Sequence, residues 1–162
     1  MKIRFAKVED LARITEIYND AIINSTATFD MEKKTIKSRL EWFKDHDHKL
    51  AIFVAENEGN VMGWASLSLL FKKDAYSGTT EISLYVDKEY RGQGIGKALM
   101  KRIIEHANTN DQIHTIIARI TGENKISIDL HQKFGFEFVG TLKEVGYKFE
   151  RYVDVHLYQF LS

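Results

Sequence analysis

Arg91-Gly92-Gln93-Gly94-Ile95-Gly96-Lys97 places three glycines within five positions, directly before a run with helical periodicity. Glycine lets backbone N–H groups approach a ligand closely. A helix start adds free amides and the positive end of the helix dipole, so this segment suits a phosphate. Just upstream, Thr80 to Val86 alternates and is rich in β-branched and aromatic residues, the pattern of a strand. Successive strand residues point to opposite faces, so Ile82, Leu84 and Val86 share one face while Glu81, Ser83 and Tyr85 share the other. A carboxylate capable of proton transfer, Glu81, is thereby displayed beside an anion-binding loop.

Two familiar phosphate loops fail on spacing. A Walker loop has a first glycine five positions before its Gly-Lys pair, and a Ser or Thr after the lysine. Here that first position is Arg91, and Ala98 follows Lys97. A dinucleotide site needs Gly-x-Gly-x-x-Gly after the first strand and an acidic residue at the end of the next strand. In this chain the glycines follow the fourth predicted strand, and Ile113 to Ile120, the next one, has no carboxylate. A nucleoside triphosphatase and a dinucleotide-binding domain are both disfavoured, which leaves another phosphate ligand or a turn without one.

The elements that must position this stretch can be read in order. Ile3 and Phe5 mark a short first strand, and Glu9-Asp10 opens a helix whose apolar stripe runs through Ile14, Ile17, Tyr18, Ala21 and Ile22. Asn24 to Asp30 is a polar stretch with one large ring, Phe29, suited to lining a cleft. Lys33 to Asp45 reads as a second amphipathic helix with Ile36, Leu40, Trp42 and Phe43 inward and its charges outward. Leu50 to Glu56 and Val61 to Leu70 flank Asn57-Glu58-Gly59-Asn60, a hairpin signature, and Phe71 to Gly78, including Lys72 and Lys73, leads into Thr80.

Beyond the helix of residues 94–107 come a strand at Ile113 to Ile120 and a short helix from Lys125 to Phe134, ended by Gly135. Phe136 to Val139, Gly146 to Phe149 and Arg151 to Phe160 complete the chain as strands. The order β-α-α-β-β-β-α-β-α-β-β describes a mixed α/β or α+β sheet, and 162 residues fit one domain, 1–162.

Composition narrows the partners. Lys plus Arg and Asp plus Glu both number 23, so no basic excess attracts nucleic acid. Cysteine is absent, which removes disulfides, thiolate metal ligands and a cysteine nucleophile. No apolar run suits a leader or a membrane span, and the expectation is a soluble, cytoplasmic protein without a membrane partner. Asp45-His46-Asp47-His48 offers metal-ligand types, but alternating charged residues in a loop read as a solvated turn, so no metal is expected.

In this setting Arg91-Gly92-Gln93-Gly94-Ile95-Gly96 is similar to the Arg/Gln-x-x-Gly-x-Gly/Ala pattern of the GNAT superfamily of acetyl-CoA-dependent N-acetyltransferases. Asn124 opening a helix that ends in Gly135-Phe136 resembles a later segment of the same superfamily. Ile17-Tyr18-Asn19, Ser25 to Phe29, Gly63-Trp64-Ala65, Ala75-Tyr76, Glu81 to Val86, Leu130-His131 and Glu144 to Lys148 resemble its phosphinothricin and methionine-sulfone branch over nearly the whole chain.

The resemblance implies a GNAT fold: a mixed, mostly antiparallel twisted sheet of about seven strands with about four helices, strands four and five splayed apart. It implies that Arg91, Gln93, Gly94, Ile95, Gly96, Lys97 and Ala98 hold the pyrophosphate of acetyl-CoA. Leu84, Tyr85, Val86 and Asp87 would meet its pantetheine arm, and Asn124 would contact it nearby. Glu81 becomes the general base and His131, in place of the tyrosine many relatives carry, the general acid. Phe29, Lys72, Lys73 and Ser83 become substrate contacts, and the branch implies a homodimer.

The implied reaction acetylates the amine of a small amino acid or analogue. Two alternatives stay open: a related enzyme acting on a polyamine, an aminoglycoside or a protein amino terminus, and a non-catalytic acyl-CoA-binding module that needs neither Glu81 nor His131.

Overall fold

The computed structural model describes residues 1–162 and contains one seven-stranded sheet. In chain order the elements are β1 (Lys2–Phe5), α1 (Leu11–Asn24), α2 (Ile36–Lys44), β2 (Ile52–Asn57), β3 (Asn60–Leu69), β4 (Thr79–Val86), α3 (Ile95–Asn108), β5 (Thr115–Thr121), α4 (Lys125–Lys133), β6 (Glu137–Lys148) and β7 (Arg151–Leu161). The sheet order is β1-β2-β3-β4-β5-β7-β6, and every neighbouring pair is antiparallel except β4 with β5. No helix is long and apolar enough to cross a membrane.

Alternation along the strands separates two cores. Ala65, Leu67, Ile82, Ile116 and Ala118 meet Leu99, Met100 and Ile103 of α3 and Ile128 of α4 on one face. On the other, Ile52, Val54 and Trp64 meet Ile14, Ile17, Tyr18 and Ile22 of α1. Burying each such aliphatic side chain contributes about 1.5–3 kcal/mol. The β2–β3 hairpin turns with positive φ at Glu58 and Gly59, as its Asn-Glu-Gly-Asn sequence suggests. At the end of α4, Gly135 has φ 88°, the Gly135 N–H reaches the Gln132 carbonyl, and the Phe136 N–H reaches that of His131. These paired bonds are the Schellman cap that the glycine permits.

Two expectations are corrected. Residues read as two strands around a loop form the single strand β6, with register shifts at Phe138/Gly140 and Leu142/Gly146 and Glu144 at φ 49°. Such bulges break the alternation that a strand reading relies on. In α2, Trp42 and Phe43 pack inward as expected, but the most buried residue is Arg39, only 6% exposed, while Ile36 is 49% exposed. Among the carboxy-terminal aromatics, Tyr147, Phe149 and Tyr152 are exposed, Tyr158 is buried and Phe160 packs against the core.

The connection from α1 to α2 folds back across the end of β6 and is held at several points. Asn19 brackets Lys34, accepting from its N–H at 2.7 Å and donating to its carbonyl at 2.9 Å. The buried Lys148 ammonium donates to the carbonyls of Thr28 at 2.9 Å and Asp30 at 3.1 Å. Phe29 lies flat against Gly146: a Cβ built on that glycine would stand 2.3 Å from the ring. Gly146→Ala is expected to destabilise the fold by about 1–3 kcal/mol through overpacking. Phe29→Ala should abolish that increment in a double-mutant cycle followed by urea unfolding. Additive effects of the two substitutions would contradict the contact.

Candidate active site

The parallel pairing of β4 with β5 covers only Thr79↔Thr115, Thr80↔Ile116 and Glu81↔Ile117, although β4 continues to Val86 and β5 to Thr121. The strands therefore diverge beyond Glu81. The Thr79 carbonyl accepts from Leu70, and the Asp87 N–H donates to the Met62 carbonyl. Odd-numbered positions of β4 thus direct their backbone groups at β3, and even-numbered ones direct theirs toward β5. With the β5 ladder ended, the N–H groups of Leu84 and Val86 face the gap without a strand partner. The Val86 carbonyl is met by Arg91 Nε at 3.4 Å.

A cavity of about 550 Å³ fills this gap, within the range of small-molecule sites. Its lining includes Phe29, Glu81, Ser83, Leu84, Tyr85, Asn124 and His131, all anticipated from sequence, and also Tyr18, Asp30, Arg119 and Ser127, which were not assigned roles there. Glu81 and Ser83 approach from the α1 face, whereas His131 approaches from α4 on the opposite face. The gap between the strands is what connects them.

The loop of Arg91 to Lys97 lies at the mouth end of β4. Gly92 and Gly94 have φ 75° and 82°, conformations that favour glycine, and Gly94 caps α3. Gly96, in the first turn of α3, packs beside Leu130 and Leu84: a Cβ there would lie 3.4 Å and 3.9 Å from them, ordinary van der Waals contact. The amides of Ile95, Gly96 and Lys97 precede the first intrahelical donor, Ala98, which bonds the Gly94 carbonyl at 3.0 Å. Ala98 is thus removed from the expected set of free anion-binding amides. Asp87 accepts from the Glu89 N–H at 2.8 Å and from Arg13, which ties this turn to α1.

Glu81 is held by Arg119 in a two-point contact, Nε to Oε1 at 2.6 Å and Nη2 to Oε2 at 2.7 Å. Each carboxylate oxygen keeps a further lone pair for an incoming donor. No local pattern announces the pairing, because the two residues stand 38 positions apart. Lys72 and Lys73, expected as substrate contacts, are exposed in the β3–β4 connection and outside the cavity lining. Tyr18, pushed up to about 12 by burial and its hydrogen bond to Asp30, remains a neutral donor at neutral pH.

His131 is buried, with Nδ1 2.7 Å from the Ser127 carbonyl and its ring 4.9 Å from Phe136. A carbonyl can only accept, so Nδ1 carries the proton of the neutral ring and Nε2 offers a lone pair. Burial also lowers the pKa of this imidazole. As found, the neutral ring must first take a proton at Nε2 before it can donate one there. The Asn124 Oδ1 caps α4 through the Ser127 N–H at 3.2 Å, leaving the amide nitrogen available to a ligand. No group of three or more His, Cys, Asp or Glu side chains is placed to hold a metal.

Comparison with known proteins matches residues 3–157 to the acetyltransferase (GNAT) domain family. The L-methionine sulfoximine/L-methionine sulfone acetyltransferase of Pseudomonas aeruginosa is 37% identical over 159 residues, covering 97% of this chain and 92% of that protein. An N-acetyltransferase of Staphylococcus aureus Mu50 superposes with a TM-score of 0.94 at 43% identity, covering 99% and 97% of the two chains. A phosphinothricin acetyltransferase of Sinorhizobium meliloti, solved in complex with AcCoA, superposes with a TM-score of 0.91 at 32% identity, covering 99% and 87%. The diverging strands, the glycine loop at the head of α3 and these likenesses agree: the chain belongs to the GNAT family of N-acetyltransferases.

Proposed function

We propose that this protein transfers the acetyl group of acetyl-CoA to the amine of a small amino acid or analogue, of the phosphinothricin, methionine sulfone or methionine sulfoximine type. The observation that carries the reading is the early end of the β4–β5 ladder, which puts Glu81 beside two unpaired amides in a cavity of small-molecule size. The S. meliloti relative solved with AcCoA supports the choice of coenzyme, and the named activity of the P. aeruginosa relative supports the acceptor class.

The residues fit a coenzyme A thioester in stated ways. Free N–H groups of Ile95, Gly96 and Lys97 at a helix start suit a pyrophosphate, with exposed Arg91 and Gln93 beside them. The N–H groups of Leu84 and Val86 suit an acyl oxygen that gains negative charge as the amine adds. An amine is mostly an ammonium at neutral pH, so Glu81 accepts its proton, directly or through a water, before nitrogen can attack. Arg119 orients that carboxylate through its two-point contact while the remaining lone pairs meet the amine. His131 Nε2 faces the coenzyme side as a proton acceptor: it takes, directly or through a water, the second proton that the nitrogen sheds as the C–N bond forms, and passes it to the sulfur as the C–S bond breaks. Phe29 and Tyr85 supply apolar walls to the acceptor. The exposed Phe138, Val139 and Tyr147 on the edge strand β6 suit a second copy of the chain, giving a homodimer.

Glu81→Gln is expected to lower turnover by about 10²–10⁴-fold, the usual worth of a positioned base, while acetyl-CoA affinity stays unchanged. Turnover within threefold of the unaltered protein would remove Glu81 from the mechanism.

The buried histidines give the fold a pH dependence with a definite sign. Burial lowers the pKa of His46, His106 and His131 in the folded chain. The unfolded chain therefore binds more protons than the folded chain as pH falls below about 6.5. Stability is full above that value and is lost progressively as pH falls from it toward the depressed folded-state values. Urea unfolding at pH 7.5 and 5.5 should show the loss, and His131→Gln should shrink it. An unchanged difference in the variant would mean that His131 titrates normally.

A further inference from the structure

Arg39 projects from α2 into the α1-side core and is 6% exposed. Its guanidinium carbon lies 3.5 Å from the ring centre of Trp42, 4.9 Å from Tyr18 and 5.3 Å from Trp64. The rings stabilise the charge through cation–π attraction. They satisfy none of the in-plane N–H donors. Nε and Nη2 are buried with no hydrogen-bond partner, and no carboxylate forms a salt bridge with this side chain. A buried cation in that condition carries a large uncompensated desolvation cost.

Beside it lies a second cavity, about 350 Å³, lined by Arg39, Lys34, Ser38, Trp42 and Trp64. It shares Tyr18, Asp30 and Ser83 with the acceptor end of the main cleft. Asp30 is the only carboxylate there and is already committed, accepting from Tyr18 through one oxygen and facing Lys34 at 3.3 Å through the other. The lining therefore holds two cations against one anion. Burial lowers the Arg39 pKa to about 10, so the group remains charged at neutral pH.

We propose that Arg39 is a specificity-determining residue that receives an oxyanion of the acceptor, its α-carboxylate or a side-chain phosphinate, in the fork of unpaired N–H groups. The proposal rests on the reading of the acceptor as a small amino acid. Ser83, which borders both cavities, follows Glu81 by two positions on the same face of β4, about 6.6 Å along the strand. Because Tyr18, Asp30 and Ser83 line both cavities, an acceptor whose amine meets Glu81 has the Arg39 pocket adjoining it for an oxyanion. Planar carboxylates and phosphinates match the guanidinium fork, whereas a lysine would supply only a point charge.

The chain has two tryptophans, and both border Arg39, so intrinsic fluorescence reports on this pocket. Emission would be titrated with sodium acetate replacing chloride at constant ionic strength, and with phosphinothricin or its α-carboxamide, in the unaltered protein, Arg39→Met and Arg39→Lys. The expected result is a saturable change with acetate and phosphinothricin that weakens at least tenfold in both variants, with acetyl-CoA binding retained as the check on folding. Equal response to the α-carboxamide assigns the pocket to the phosphinate, and its loss assigns the pocket to the α-carboxylate. No response to either anion in the unaltered protein, or undiminished affinity in the folded Arg39→Lys variant, would overturn the proposal. A normal fluorescence response without release of thiol from acetyl-CoA would instead refute the acetylation reading.

Discussion

The ladder between β4 and β5 stops after three residue pairs, and the site depends on that stop. Had the parallel pairing continued to Val86, the N–H groups of Leu84 and Val86 would be spent on β5 and no passage would join the two faces of the sheet. Glu81 would then lie on one face and His131 on the other, separated by a closed sheet. Unpaired backbone amides are costly in a dry interior, and here they border a cavity open to ligand.

The other wall of the cleft is a loop made rigid by contacts from three directions. Asn19 and Tyr18 of α1, Lys148 and Gly146 of β6, and Glu123 ahead of α4 all grip residues 26–34. Burying a lysine is tolerated because its ammonium meets two carbonyls, even though burial lowers its pKa. The same loop delivers Phe29 and Asp30 to the cavity, so the clamp positions the acceptor side without contributing to proton transfer. Electrostatic pairing within the cleft is asymmetric: Glu81 has Arg119 and Asp30 has Lys34, while Arg39 has only aromatic faces.

What was legible in the sequence was local. The strand–loop–helix from Thr80 onward, the hairpin at Gly59, the Asn124 cap and the Gly135 stop each depend on residues within a few positions, and each is found in the structure. The Glu81–Arg119 pair and the Lys148 clamp join distant positions and left no periodic trace. Arg39 was hidden for a further reason. Amphipathic patterning sends a helical arginine to solvent, and the rings that make its burial tolerable come partly from Tyr18 on α1 and Trp64 on β3. The reading of β6 as two strands failed at its bulges, and Lys72 and Lys73 failed because charge order along the chain does not say which loop closes over a cleft. His131 was correctly placed at the cavity, but only its hydrogen bond to Ser127 fixes which nitrogen carries the proton.

The central claim is that the gap beyond Glu81 receives the acyl thioester through the backbone of β4. Residue-resolved amide hydrogen exchange of Leu84 and Val86, with and without acetyl-CoA, addresses it directly. Both amides should exchange readily in the free protein and become at least tenfold protected when the coenzyme binds, together with Ile95 to Lys97. Binding that protects the glycine loop but leaves Leu84 and Val86 unchanged would contradict it.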